Sequence, residues 1–249
     1  MIYLYGVAHK ANADQLPNAG VFGGVAECLP VSGLTIVAER VEAVILDKML
    51  GEGAREDDTI MHNAVMAHQG FLNQVAGKVD VLPFRFGTAV ESEAALEQFL
   101  ADQRAALDAA LDTISGHLEW GVKIVRSEAA RKPVAPAGPA SGADYLRQLS
   151  AKKQTEDRSR ESMSALCKAV ANDLAVIATK VQPLSLRSSD NSEARLLNIA
   201  CLLPRGNDAL VSDTINQAVE RFEDLPLRIE ISGPWPPFSF VSITEDGEV

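Results

Sequence analysis

The chain has 249 residues, 47% of them hydrophobic, and 34 acidic against 23 basic side chains give a net charge of −11. That apolar fraction excludes wholesale disorder, and the length suffices to bury roughly 70–75% of the unfolded surface in one large or two small domains. The acidic balance argues against a nucleic-acid binder, because phosphate contacts need basic surface. The charge is also uneven: residues 1–125 hold 8 basic and 17 acidic groups, and the remainder 15 and 17.

Ile2–Ala8 reads as an opening strand, since it lacks the basic lead and long apolar stretch of a signal peptide. No apolar run approaches the ~20 residues of a membrane-spanning helix. Val21–Leu29 and Leu34–Val41 are apolar strands separated by the turn Pro30–Gly33. Val41–Leu50 forms a short helix that Gly51 and Gly53 stop. After Glu56-Asp57-Asp58, acidic groups that suit a helix start, a second helix carries Ile60, Ala64, Phe71, Leu72 and Val75 on one face and stops at Gly77. Val79–Phe86 is a strand in which Pro83 implies an edge or a bulge. Ser92 then caps a helix whose stripe is Leu96, Leu100, Leu107, Leu111 and Ile114.

His117–Val125 is the next strand. Arg131–Gly142 holds three prolines and two glycines in twelve residues, a flexible loop or linker. Tyr145–Val181 is helical, with Met163, Leu166, Val170, Leu174 and Ile177 inward and Pro183 as its end. Leu184–Ser188 and Arg195–Leu203 are strands around the polar turn Ser189–Glu193, and Asp208–Phe222 is a helix with Val211, Ile215, Ala218 and Phe222 inward. Leu227–Ser232 is the last strand. From His117 the order is strand, helix, strand, strand, helix, strand, which is the split βαβ pattern. The expected fold class is therefore α+β in two domains. Residues 1–116 form a small mixed sheet with helices, residues 117–232 a ferredoxin-like βαββαβ variant, and residues 233–249 a proline-rich tail.

Reactive chemistry is not legible. Cys28, Cys167 and Cys201 are odd in number and far apart, as buried free thiols of a cytoplasmic protein would be. His62 and His68 lie about 600° apart around a helix, so they do not form a metal pair. Gly20-Val21-Phe22-Gly23-Gly24 precedes a strand rather than a helix and reads as a turn, not a phosphate loop. No catalytic residue, cofactor site or metal site is expected. The stretch 147–160 holds five basic and two acidic residues, a solvated helix face or a docking strip for an acidic protein partner.

Two segments are too particular for generic packing. In Val81-Leu82-Pro83-Phe84-Arg85-Phe86-Gly87-Thr88, an arginine between two aromatics is either a cation held against rings or a carboxylate, or a solvent-facing side chain beside two core rings. In Gly233-Pro234-Trp235-Pro236-Pro237-Phe238-Ser239-Phe240, three prolines stiffen an extended ribbon that carries Trp235, Phe238 and Phe240. That ribbon either lies back across the body and buries its rings or anchors a partner.

At these residues the chain resembles the gas vesicle protein F/L family (GvpL/GvpF). The resemblance runs through Tyr3-Leu4-Tyr5-Gly6-Val7, His62, Val81–Thr88, Gly116-His117-Leu118-Glu119-Trp120-Gly121-Val122-Lys123 and Gly233–Phe240. Phe238 departs from it, since a tyrosine is common there. The resemblance implies a non-enzymatic accessory protein of gas vesicle assembly, cytoplasmic and at the vesicle, with two α+β domains, the second ferredoxin-like. Its implied partners are the hydrophobic shell subunit and other gas vesicle accessory proteins, with no nucleic acid and no membrane. The candidate interaction residues are Pro83, Arg85, Phe86, Gly87, Glu119, Trp120, Gly233, Pro234, Trp235, Pro236, Pro237, Phe238 and Phe240. Among them Arg85, Glu119 and Trp120 are expected to be architectural, an ion pair with a ring nearby. The rival is a ligand-binding or enzymatic protein, which needs a pocket that collects His62, Arg85 and Glu119.

Overall fold

A computed structural model describes residues 1–50, 58–127, 142–186, 195–222 and 225–240. The linker expected at 131–141, the acidic pair Glu56-Asp57, the helix stop at Gly51 and Gly53, the polar turn 189–193 and the tail beyond Phe240 lie outside the described residues. The chain divides into two compact units, Met1–Glu119 with the segment from Pro234 onward, and Trp120–Gly233.

The first unit is built on an antiparallel sheet. β1 (Ile2–Ala8), β2 (Ala26–Val31), β3 (Leu34–Arg40) and β4 (Leu82–Pro83) stand in the order β2-β3-β1-β4, and β5 (Ala89–Val90) also pairs with β1. Every residue of β1 is buried, because helices cover both faces of the sheet. Tyr3 and Tyr5 pack toward α1 (Ala43–Leu50) and α2 (Asp58–Ala76), with Leu46, Phe71, Leu72 and Val75. Ile2 and Leu4 pack toward α3 (Glu93–Ile114), which buries Leu96, Leu100, Leu107, Leu111 and Ile114 as expected. Strand alternation would then send Val7 toward the tyrosine face. A register shift between Leu4 and Gly6 inserts one residue and changes the parity, so Val7 joins Leu4 and Ala8 joins the tyrosines. Ser92 caps α3 by accepting from the Ala95 N–H at 3.2 Å.

Several expected boundaries shift for local reasons. Val21–Val25 is a loop rather than strand, because its backbone N–H groups serve buried side chains instead of a sheet. The strand expected over Val79–Phe86 shrinks to Leu82–Pro83. Pro83 sits on the outermost strand, where its missing N–H costs nothing.

The second unit holds α4 (Gly142–Ile177), β7 (Lys180–Pro183), β8 (Arg195–Pro204), α5 (Asp208–Val219) and most of β6 (His117–Arg126) and β9 (Leu227–Trp235), with strands in the order β7-β8-β6-β9. α4 and α5 share one core with the sheet, made of Val122, Ile124, Leu166, Val170, Leu174, Ile199, Cys201, Leu203, Val211 and Ile215. α4 ends at Ile177, not Val181, because the Thr179 N–H leaves the helix for the Leu202 carbonyl at 2.9 Å and starts β7. Pro183 therefore ends a strand rather than a helix. α5 ends at Val219, and β9 runs on past Ser232 through Gly233 and Pro234, which an edge strand tolerates.

Candidate functional site

In the first unit, the sequence from Arg85 to Thr88 folds into a tight turn. The Thr88 N–H donates to the Arg85 carbonyl at 3.2 Å and its hydroxyl to the same oxygen at 2.8 Å. Gly87 occupies the third position with φ +94, the left-handed geometry that a type II turn demands of glycine. The turn points the flanking rings inward: Phe84 is buried against Phe99, and half-buried Phe86 meets the His68 ring at 5.6 Å between centroids. Arg85 itself is exposed and has no side-chain partner among the described residues. It makes no ion pair with Glu119, contrary to expectation, because Glu119 is buried and already engaged.

The backbone of this motif closes a polar network inside the core. The Phe84 carbonyl lies 3.3 Å from His68 Nε2, and His68 Nδ1 lies 2.9 Å from the Tyr3 hydroxyl. Burial pulls the imidazole down to about 4, with the Phe84 carbonyl acting the other way, so the ring is neutral at neutral pH. A neutral imidazole carries one N–H, and the carbonyl requires it on Nε2; Nδ1 then accepts from Tyr3. The Tyr3 hydroxyl in turn accepts from the Gly87 N–H at 3.2 Å. Desolvation pushes the hydroxyls of Tyr3 and Tyr5 up from their ordinary values, and at Tyr5 the hydrogen bond to Glu39 adds to it.

Glu39 is the second buried group, and the sequence reading missed it. Its side chain sits on β3, fully buried. It accepts from the Tyr5 hydroxyl at 2.5 Å, the Gly24 N–H at 2.6 Å and the Phe22 N–H at 3.2 Å. The Val21 N–H donates to Tyr5 at 2.7 Å. Gly20–Gly24 is thus a cradle for a carboxylate of its own chain. A Cβ on Gly20 would stand 2.1 Å from Glu39 Oε2, so only glycine lets the backbone come this close. The signal was present in the glycine cluster, but nothing along the chain says which of 34 acidic residues it holds.

Glu119, at the start of β6, holds the tail. The Ser239 N–H donates to one carboxylate oxygen at 2.7 Å and the Ser239 hydroxyl to the other at 2.6 Å. Burial pushes this carboxyl up from its ordinary value, and the two Ser239 bonds oppose the shift. Pro236 and Pro237 are buried, and Phe238–Phe240 forms a single 3₁₀ turn that buries Phe240 and leans Phe238 on the tyrosine-side core. The tail therefore lies back on its unit, and of its three rings only Trp235 stays exposed, at 39%. In the second unit, Trp120 is half-buried against the core that Val122, Leu166 and Ile199 help to form.

The three groups named for a ligand or enzyme pocket have separate environments. His62 is exposed on α2, Arg85 is exposed on its turn and Glu119 is spent on Ser239, so the pocket that would gather these three is not formed. Among the described residues no three His, Cys, Asp or Glu side chains cluster as a metal site, and no helix is long and apolar enough to cross a membrane.

This architecture of two α+β units is that of solved gas vesicle proteins. GvpF from Anabaena sp. PCC7120 superposes with a TM-score of 0.72 over 100% of this chain and 98% of that one, at 20% identity. GvpF from Microcystis aeruginosa gives 0.68 over 97% and 99%, at 17% identity. The family model described as Gas vesicle synthesis protein GvpL/GvpF matches residues 1–242, and the chain belongs to that family. Gas vesicle protein L of Streptomyces sp. (strain CB03234) is 28% identical over 98% of this chain and 94% of its own length. Gas vesicle protein F of Haloferax mediterranei is 26% identical over 97% and 93%. Membership gives the chain a role in gas vesicle formation.

Proposed function

We propose that this protein is a non-enzymatic accessory factor that binds the hydrophobic shell subunit, or its assembly partners, as gas vesicles nucleate or grow. The observation that carries the reading is the family match over residues 1–242. The site chemistry supports it: the buried polar groups serve backbone and tail, while the specific motifs leave Arg85 and Trp235 in solvent. An exposed ring at the end of an edge strand is what a strand or an apolar partner segment could dock on. In the second unit, the order β7-β8-β6-β9 with two helices on one core supports a ferredoxin-like arrangement. We place the domain boundary near residues 117–120 and the site of action in the cytoplasm, at the vesicle.

The test is a pull-down of the purified shell subunit by the full chain, by Trp235→Ser and by Arg85→Ala. Both substitutions leave Phe238, Phe240 and Glu119 in place, so they probe contact without releasing the tail. Capture by the wild type that falls several-fold in either variant supports the reading. Equal capture by all three removes these residues from the surface, and no capture of the shell subunit or of any co-expressed gas vesicle protein sinks the function.

A further inference from the structure

α4 is 36 residues long, but only its C-terminal half reaches the core, through Met163, Leu166, Val170 and Leu174. Toward its start, Tyr145, Leu146 and Leu149 are exposed at 54%, 65% and 46%. A helix advances 100° and 1.5 Å per residue. On that geometry Tyr145, Leu146, Leu149, Lys152, Lys153, Arg160, Met163, Cys167, Lys168 and Ala171 all fall within about 80° of the Arg160 direction, so they form one strip about 39 Å long. At its C-terminal end the strip becomes a groove. There Met163, Cys167 and Ala171 face Leu196 and Leu197 of β8, with Arg160, Ser164 and Lys168 on the rim.

The charge along this strip leans basic, with Lys152, Lys153, Arg160 and Lys168 against Glu156 and Asp157. Asp157 faces Arg160 at 3.9 Å, and Glu156 is the other acidic group on the face. Lys152, Lys153 and Lys168 are exposed and have no ion-pair partner among the described residues. Apolar side chains alone would accept any hydrophobe; three exposed ammonium groups outside any ion pair beside them favour carboxylates. A bilayer fits poorly, because the Met163–Leu197 groove is recessed between helix and strand, where a flat surface cannot enter. Nucleic acid fits poorly as well, since the rings that would stack on bases are missing apart from Tyr145.

We propose that this face of α4 is a second docking surface, and that its partner is an acidic amphipathic helix of another protein. The partner's apolar ridge lies over Leu146 and Leu149 and enters the Met163–Leu197 groove, and its carboxylates meet Lys152, Lys153 and Lys168. The surface lies in the second unit, and its existence does not depend on the assembly reading.

The test uses the full-length protein and a dye-labelled synthetic peptide of about 28 residues in leucine–glutamate heptads, long enough to span the strip. Fluorescence anisotropy should show binding that weakens with salt and is at least tenfold tighter than for the same peptide with every glutamate replaced by lysine. The variant K152E/K153E/K168E should lose tenfold for the acidic peptide and gain for the lysine peptide. L146S/L149S should weaken both, and the charge-matched control K10E/K48E/K78E should change neither. Circular dichroism establishes that each variant is folded, and because all the substituted side chains are exposed, helix content should hold. Equal affinity for the two peptides, or no effect of the triple reversal, overturns the proposal. So does strip-dependent dimerisation in sedimentation without peptide, which makes a second copy the occupant. Binding to phosphatidylglycerol vesicles that the triple reversal abolishes would overturn it in favour of a membrane.

Discussion

Replacing Glu39 with glutamine tests whether the buried carboxylate organises the first unit. The carboxylate faces only donors: the Tyr5 hydroxyl at 2.5 Å, the Gly24 N–H at 2.6 Å and the Phe22 N–H at 3.2 Å. Glutamine has nearly the same shape but turns one of the two oxygens into an NH₂ group. If the amide nitrogen faces Gly24, two N–H donors oppose each other. If it faces Tyr5, the phenol proton loses its acceptor, and the Val21 N–H already occupies that oxygen from the other side at 2.7 Å. Either flip loses one hydrogen bond to a charged group, about 1.5–3 kcal/mol, and leaves a buried donor unpaired, about 1–3 kcal/mol. We expect a loss of about 3–5 kcal/mol for the first unit. Urea unfolding with hydrogen exchange read by mass spectrometry measures it: amides of β1, β3 and the 20–24 loop should exchange faster, and those of α4 and β8 should not. Gly20→Ala strikes the same oxygen with a Cβ, so its cost should combine less than additively with that of E39Q. A loss below 1 kcal/mol in E39Q, or full additivity of the pair, would refute the reasoning.

His68 sets a pH dependence. Its folded value is about 4 against an ordinary 6.5, so between these values the unfolded chain binds the extra proton and stability falls as pH falls. The full effect is about 3 kcal/mol, from 1.36 kcal/mol per pKa unit. Thermal unfolding from pH 7 to 4 should therefore be steeper in the wild type than in His68→Gln, and parallel profiles would contradict the buried neutral ring. Gly87→Ala forces a side chain into φ +94 and should cost about 1–3 kcal/mol, while Arg85→Ala two residues away should stay within about 0.5 kcal/mol in the same urea titration. Ser239→Ala removes one of two donors to Glu119 and should cost about 1–2 kcal/mol, read as faster exchange over Pro236–Phe240.

How far the fold could be read depended on the range of the interactions involved. The Ser92 cap and the stripe Leu96–Ile114 are written at helical steps of three, four and seven residues, and α3 follows them closely. Thr179 and Val181 continue a helical pattern on paper, yet the Leu202 carbonyl draws the chain into β7, because an open sheet edge competes with one more helical turn. The tail shows the same divide. Its prolines announce a stiff segment, but the direction its rings face is decided by Glu119, which lies 120 positions earlier.

The sequence by itself determined the α+β class, most of the element order, the acidic first half and the family, because composition, periodicity and motif order are properties of neighbours along the chain. Tertiary structure alone decided which charges are used where. It buried Glu39 and Glu119 among backbone donors, left Arg85 in solvent, folded the aromatic tail inward and carried the apolar, lysine-edged face of α4 past its core. A net charge of −11 weighs all 34 carboxylates equally; only packing removes individual ones from water, and desolvation depends on contacts between residues the chain keeps far apart.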